Sequence, residues 1–338
     1  MSKKSKRAKP GGEADGRDGD PSHISGSFLS DPSEPPASSA ISMPFDRRAM
    51  EKTMRDLTKL LEQQEFESIE EANAFLAQFT GKPIPEMPAS DDPLTRAEDL
   101  VYKAYEASSR KQAIKLARQA LAISPDCADA YVLLAEAEAK TPEEACAYYQ
   151  QGVEAGERAL GPEVFEEGEG HFWGIFETRP YMRARQGLAQ TLWLLGEDEA
   201  ALEHFREMLR LNPGDNQGLR YLLADCLLEA DLDDELAALL EQYEDDASAS
   251  WLYNRALLLF RQGGESDEAN VALEEALAHN EHVRAYLLGK KKLPREMPAY
   301  IGFGDVNEAV DYASTGIAHW RGTYGALRWL RKHTPGRR

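Results

Sequence analysis

Cysteine is scarce in this 338-residue sequence, and the three that occur match no metal-binding or redox spacing. Each of Cys127, Cys146 and Cys226 falls at a small or apolar position of a predicted helix, which indicates free, buried thiols and a reducing compartment. No apolar run approaches the roughly 18 residues that a membrane-spanning helix needs. The basic start at Lys3 is followed by Pro, Gly and acidic residues instead of an apolar signal sequence. We therefore expect a cytoplasmic protein with no membrane partner.

Motifs of catalysis are also missing from the sequence. There is no phosphate-binding loop, no HExxH, and no convincing pairing of a nucleophile with a base. The Gly302-Phe303-Gly304 run lacks a third glycine and a preceding strand. His171 has no companion ligand, and His279 with His282 suits a helix end better than a metal site. We expect a non-enzyme without a cofactor or a metal.

Positive charge is sparse in the middle of the chain. The net charge is −20, and between Gly196 and Glu281 there are 22 acids against 5 Lys and Arg, whereas both ends are basic. Such a field repels phosphate backbones, which argues against nucleic-acid binding. Two interpretations of the acidic middle remain: it keeps the surface soluble, or it attracts a basic partner.

The apolar pattern divides the chain into segments. Residues 1–44 are rich in Gly, Ser, Pro and Asp and predict a disordered tail. In 45–80 we expect two short amphipathic helices, the first with Met50, Met54, Leu57 and Leu61 on one face. The second opens with a capping box at Ser68, and Thr141 begins another further along the chain. Residues 81–93 form a proline-rich linker, and residues 334–338 form a short tail.

From residue 94 onward helices recur with a fixed pattern. Ala201 and Ala269 occupy equivalent positions and lie 68 residues apart, which is twice 34. The interval from Ala113 to Ala201 is 88, which is twice 34 plus about 20. Three helices share the same spacing: a small residue, apolar residues four and seven positions later, and a helix-breaking or helix-ending residue after them. These positions are Ala113, Ala117, Ala120 and Pro125 in the first helix, Ala201, Phe205, Met208 and Pro213 in the second, and Ala269, Leu273, Ala276 and Asn280 in the third.

This period resembles the tetratricopeptide-repeat (TPR) family, in which each repeat is two antiparallel helices and the small residues let backbones approach. The resemblance implies an all-α, TPR-like α-solenoid, a right-handed superhelix of helix pairs, over 94–289. Residues 290–333 are predicted to form a connector and capping helices. The repeat units are Ala97–Pro125, Asp126–Leu160, Met182–Gln217, Asp215–Asp246 and Ser248–Asn280.

A closer resemblance lies within the repeats. The runs AYVLLAEAEA from Ala130, PEEA from Pro142 and GVEAGE from Gly152 are similar to the suppressor-of-tumorigenicity-seven family, and the likeness covers roughly residues 95–245. That family carries membrane spans ahead of its repeats, whereas this sequence shows none. The resemblance implies a soluble TPR relative and brings no catalytic residues with it.

An insert of about 20 residues, 161–179, interrupts the repeats with aromatic rings among glutamates and glycines. Leaving four rings exposed would forgo about 6–12 kcal/mol, so most of them must be buried. The insert either plugs the groove or lengthens a hairpin, or it forms a lip that contacts a partner through Phe172, Trp173 and Phe176.

The function that the repeats predict is a non-catalytic scaffold that binds another protein or peptide in its concave groove. The alternative is an enzyme or enzyme-accessory protein with its site in the insert or the C-terminal segment. A carboxylate clamp for chaperone tails is not expected, because Gln190, Ala224 and Leu258 stand where that clamp needs asparagine. The candidate groove residues are Tyr102, Glu136, Arg183, Gln186, Gln190, Trp193, Arg220, Asn254 and Arg261.

Overall fold

The structure is a computed structural model that describes residues 47–62, 64, 66–80 and 90–333. Within these residues all regular secondary structure is helical. The tails predicted at 1–44 and 334–338, and most of the linker predicted at 81–93, lie outside the described residues.

The described helices follow one another with short connections. Two 3-10 turns, Phe172–Gly174 and Phe176–Thr178, separate α6 from α7. The α-helices are α1 Arg47–Glu62, α2 Ile69–Ala77, α3 Pro93–Tyr105, α4 Arg110–Ile123, α5 Ala128–Ala137, α6 Pro142–Glu167, α7 Arg179–Leu194, α8 Asp198–Leu211, α9 Leu219–Glu229, α10 Asp233–Gln242, α11 Ala249–Gly263, α12 Asp267–His279, α13 Val283–Leu287, α14 Val306–Gly322 and α15 Ala326–Lys332.

Side-chain caps fix where several helices begin. The hydroxyls of Ser68 and Thr141 accept hydrogen bonds from the backbone N–H groups of Glu71 and Glu144, as the capping-box pattern predicts. Ser109, Ser248, Ser266 and two aspartates, Asp92 and Asp305, cap α4, α11, α12, α3 and α14 in the same way. Each cap satisfies a backbone donor that the helix itself leaves open, so these boundaries are set locally.

Five helix pairs stack along the chain, α3 with α4 and so on to α11 with α12. One buried apolar cluster runs from Val132 in α5 to Leu330 in α15, and a smaller one joins α3, α4 and α5. Tyr148 packs against both clusters. The predicted all-α, TPR-like architecture is therefore confirmed.

Close packing of neighbouring helices depends on small residues. Ala201 and Ala269, the first small positions of two repeats, are fully buried, and the equivalent Ala113 is half-buried. Between α6 and α7 the constraint is tighter, because a Cβ added to Gly187 would lie 2.2 Å from the Tyr149 ring. A methyl group has no room at that contact.

The insert and the C-terminal segment are more closely joined to the helix pairs than a separate insert and a simple end cap would be. α6 continues into the insert and ends at Glu167, with a kink at Gly161, whose φ of 70° favours glycine. At the other end, α14 packs across α9, α11 and α13, so it covers the side of the array as well as its end. The predicted connector and capping segment, 290–333, contains α14 and α15, which end at Gly322 and Lys332.

The Gly187 contact gives a first testable expectation. Gly187→Ala should lower the free energy of unfolding by about 1–3 kcal/mol, because the added methyl overpacks the α6–α7 contact. Gly322→Ala is the matched control, since a Cβ there meets no atom within 4 Å. Urea unfolding followed by circular dichroism measures both, and equal stability of the two variants would contradict the packing account.

Candidate functional site

The first helices of the five pairs, α3, α5, α7, α9 and α11, carry all nine predicted groove residues, and we call the face they form the inner face. The inner face has three parts: one end covered by α1, the other end covered by α14, and an open middle. The nine residues are distributed over these parts, so they do not form one continuous open groove.

α1 is joined to the inner face by a buried charge cluster centred on Arg183. The Arg183 guanidinium donates to Glu51 of α1 at 3.1 Å and 3.0 Å, and to Asp129 of α5 at 2.8 Å. Both acids are less than 10% exposed. Burial by itself would raise the pKa of Asp129, but the Arg183 charge and hydrogen bonds hold that pKa below its ordinary value. The bridge therefore favours the ionised form of Asp129 although little water surrounds it.

Further contacts extend along the same side of α1. The Arg55 guanidinium, on a residue 7% exposed, donates to Glu98 at 3.0 Å and to Asp99 at 2.7 Å, both on α3. The Lys59 ammonium donates to the Thr95 hydroxyl at 3.2 Å, and the Arg48 guanidinium lies 3.5 Å from the centre of the Tyr105 ring. A row of charged side chains one turn apart thus faces α3, α5 and α7.

Two predicted groove residues, Tyr102 and Arg183, lie in the contact with α1. The Arg55 guanidinium is 4.7 Å from the centre of the Tyr102 ring, and burial, followed by the Glu51 charge, raises the pKa of the Tyr102 hydroxyl. Glu136, at the end of α5, is exposed and acts electrostatically on Arg48. These three positions are thus near α1 in the folded chain.

The other end of the inner face is occupied by α14. Asn254 is 2% exposed, and its side-chain oxygen accepts a hydrogen bond from the Tyr312 hydroxyl of α14 at 3.1 Å. The buried Glu308 carboxylate accepts from the backbone of Ala249 and from Asn280, which fixes the start of α14 against α11 and α12. Asn254 is consequently unavailable to a ligand while α14 is in place.

Two more predicted groove residues bind their own chain. Arg220 donates to Asp215 at 2.9 Å and to Asp246 at 2.8 Å, so it ties α9 to the loops on either side of the α9–α10 pair. The Gln186 side-chain oxygen accepts from Gln217 at 2.8 Å. Their polar groups therefore already have partners within the fold.

Between α7, α9 and α14 the inner face is open, as a cleft of about 880 Å³. Gln190, Trp193 and Arg261 are the predicted groove residues that line it. Trp193 donates from its indole N–H to Glu229 at 3.2 Å, which leaves the ring as an apolar wall. Apolar surface is added by Leu194, Leu222, Phe260 and the exposed Tyr324.

Negative charge dominates the lining of this cleft. Four carboxylates take part, those of Asp225, Glu229, Asp231 and Asp233. Among the described lining residues Arg261 is the one Lys or Arg, and it is already paired with Asp231 and Asp233. His319 of α14 lies 3.4 Å from Asp225. The cleft is thus apolar on its walls and acidic at its rim, and no group of three possible ligands among the described residues is arranged to hold a metal.

The insert contributes one buried ring and three half-buried ones. Phe172 has no exposed surface and packs against Phe165 and Tyr181, so its ring is not accessible to a partner. Trp173 and Phe176 are half-buried beneath the Arg179 guanidinium, 5.2 Å and 4.2 Å from their ring centres. Arg179 also approaches Glu51 at 3.3 Å. The insert therefore meets α1, with Phe176 and Glu177 lining a cavity of about 210 Å³ beside it.

Sequence reasoning missed Glu51, Arg55, Asp225 and Glu229. The signal for the first two was present, since Arg48, Glu51, Arg55 and Lys59 recur at helical spacing opposite the apolar face of α1. Asp225 and Glu229 are one turn apart on α9, which places both carboxylates on one face.

The model of the ST7 protein family matches residues 87–334, which include every helix from α3 to α15. The chain belongs to the suppressor of tumorigenicity 7 (ST7) family. The match extends the likeness expected over residues 95–245 to both the cleft and α14. α1 precedes the matched residues. None of the helices described for this ST7-family chain is both long and apolar enough to cross a membrane.

Curated relatives in the ST7 family are similar to this chain over part of their length. Suppressor of tumorigenicity 7 protein-like from Gallus gallus is 30% identical over 261 residues, which cover 71% of this chain and 47% of that protein. The Homo sapiens protein of the same name is 30% identical, with 45% of it covered. Suppressor of tumorigenicity 7 protein from Macaca fascicularis is 29% identical over 228 residues. The chain thus spans less than half the length of these relatives.

One solved structure has a related arrangement of helices. It is YrrB, described as a TPR protein with an unusual peptide-binding site, with a TM-score of 0.40 and 17% sequence identity. The alignment covers 61% of this ST7-family chain and 90% of YrrB. At that score the likeness adds nothing to the architecture that the helix pairs already establish.

The charge cluster at Arg183 gives a second expectation. Arg183→Met should cost about 3–5 kcal/mol of unfolding free energy at neutral pH, because it removes the hydrogen-bonded counter-charge of the buried Asp129 carboxylate. Because the folded pKa of Asp129 lies below the ordinary 3.8, its contribution is complete above that pH and is lost as the pH falls through the folded pKa. The difference in unfolding free energy between the wild type and Arg183→Met should therefore become smaller at acid pH.

Arg158→Met is the matched control, because the Arg158–Asp126 pair is exposed at 52% and 37%. Its loss should stay within about 0–1 kcal/mol. Urea unfolding of both variants from neutral pH to pH 3 makes the comparison. A loss at Arg183 no larger than at Arg158 would contradict the assignment of a buried bridge.

Proposed function

We propose that this ST7-family chain is a non-catalytic scaffold that binds a segment of another protein in the cleft between α7, α9 and α14. The observation that carries the proposal is the cleft itself, about 880 Å³ of open inner face with apolar walls and four carboxylates. A stack of helix pairs presents such a surface to an extended segment of another chain.

The lining indicates what kind of segment would fit. Trp193, Leu222 and Phe260 offer apolar surface for a side chain such as Leu or Phe. Asp225 and Glu229 offer carboxylates to Lys or Arg of the partner, whereas Arg261 is already neutralised by its own acids. We therefore propose a partner segment that alternates basic and apolar residues, and the acidic field of the central chain would speed its approach.

The same features argue against a nucleic-acid ligand in the cleft. The cleft has four carboxylates and one arginine, Arg261, which already forms ion pairs with two of them, so its net negative charge repels a phosphate backbone. The proposed partner is consequently a basic peptide or protein segment.

Selection from a random peptide library displayed on phage tests this function. The wild-type chain should enrich sequences with Lys or Arg next to large apolar residues. In Asp225→Lys/Glu229→Lys the selected peptides should lose at least about tenfold in affinity, since about 1.4 kcal/mol corresponds to a factor of ten and two attractive charges become repulsive. Fluorescence anisotropy with the selected peptides measures the loss.

The control variant is Glu274→Lys/Glu275→Lys, which makes the same change of charge on the exposed side of α12. It should bind the selected peptides like the wild type. Equal weakening in both variants would mean that only the overall charge matters, and selected peptides without a basic bias would contradict the cleft as their site.

A further inference from the structure

We infer that the inner face beneath α1 is a second binding surface, that it takes a helix with basic side chains at α1's spacing, and that α1 is its internal occupant. This surface is formed by α3, α5 and the start of α7, and it is separate from the cleft. The partner would be a basic helix that replaces α1 on the same contacts.

The orientation of α1 is the first observation. Its inward side is charged, with Arg48, Glu51, Arg55 and Lys59 in contact with the array. On its apolar side Met50 and Met54 are 52% and 44% exposed, and Leu57 and Leu61 are half-buried. Helices fixed permanently in a fold turn their apolar stripe inward. α1 instead adds no side chain to either apolar cluster of the described residues.

The charge of the surface beneath α1 is the second observation. Glu98 and Asp99 pair with Arg55 of α1, Asp129 attracts Arg48, and Arg183 pairs with the inward Glu51. The order along α1 is therefore cation, anion, cation, at positions i, i+3 and i+7. A competing helix needs the same order, because a displaced anion would meet acids and a displaced cation would meet Arg183.

The way in which α1 is attached is the third observation. α1 ends at Glu62 and α3 begins at Pro93, so about 30 residues connect the occupant to its surface. About 20 of these residues lie outside α2, and that number can span tens of ångströms at about 3.3 Å per residue. The connection also holds α1 near the surface at an effective concentration on the order of millimolar. A free helix must therefore overcome the attached copy, whose contacts are largely ionic.

Charge reversal within the full chain tests the inference. Glu51→Lys/Arg55→Glu should release α1, because the first change sets a cation against Arg183 and the second sets an anion against Glu98 and Asp99. A fluorescein-labelled peptide with the wild-type sequence of residues 47–62 is the probe. It should bind this variant at least about tenfold more tightly than the wild-type chain, in which α1 competes.

Two matched controls accompany this measurement. A peptide carrying the same two reversals should not bind the variant chain. Met50→Lys/Met54→Glu makes substitutions that likewise leave the net charge unchanged, on the outward side of α1, and this chain should bind the probe as weakly as the wild type does. Equal binding of the probe to all three chains, or to none, would overturn the inference.

Hydrogen exchange of the wild-type chain provides a second measurement that needs no variant. Amides of α1 should exchange at least about tenfold faster than those of the buried half of α7, because α1 leaves without opening the core. Equal protection of α1 and α7 would mean that α1 is a permanent part of the fold and would overturn the inference. Cleft variants such as Asp225→Lys/Glu229→Lys should change neither result, which separates this test from that of the cleft.

Discussion

A single helix pair of such a repeat cannot bury its own apolar stripe. In the described fold, successive pairs bury these stripes against one another and form the continuous apolar cluster from Val132 to Leu330. The cluster depends on close approach between successive pairs. Gly187 gives α7 the room to pack against the Tyr149 ring of α6, and this contact orients α7. Because α7 reaches both α1 and the cleft, its placement decides the shape of the inner face.

The inner face combines two kinds of surface on that one helix. Arg183 near the start of α7 holds buried charges of α1 and α5, whereas Trp193 lies about 15 Å further along and lines the cleft. Buried ion pairs add little net stability, since desolvation offsets their attraction, but they penalise a wrong partner heavily. The charged end of the face is thus suited to selecting one helix. The apolar and acidic cleft gives a ligand contact area as well as charge.

Much of the fold could be predicted from the sequence because its signals are local. Alanines at a fixed period, breakers between helices and the boxes at Ser68 and Thr141 predict the helix pairs and where helices start. The high cost of leaving rings exposed agrees with the burial of Phe172. The surroundings of the groove residues could not be predicted in this way. The apolar periodicity of α1 places Met50 and Met54 on one face, but only the fold shows that ion pairs across more than 40 residues turn the opposite face inward. Likewise, no sequence pattern around Asn254 predicts that Tyr312, 58 residues further along the chain, covers it.

The central claim is that the exposed part of the inner face is where a partner binds. Hydrogen exchange of the full chain, with and without a peptide selected for binding, tests it most directly, because it maps the contact along the whole described fold. The account predicts new protection in the second half of α7, in α9 and at the end of α14. Protection confined to the second helices of the pairs, α8, α10 and α12, would contradict it.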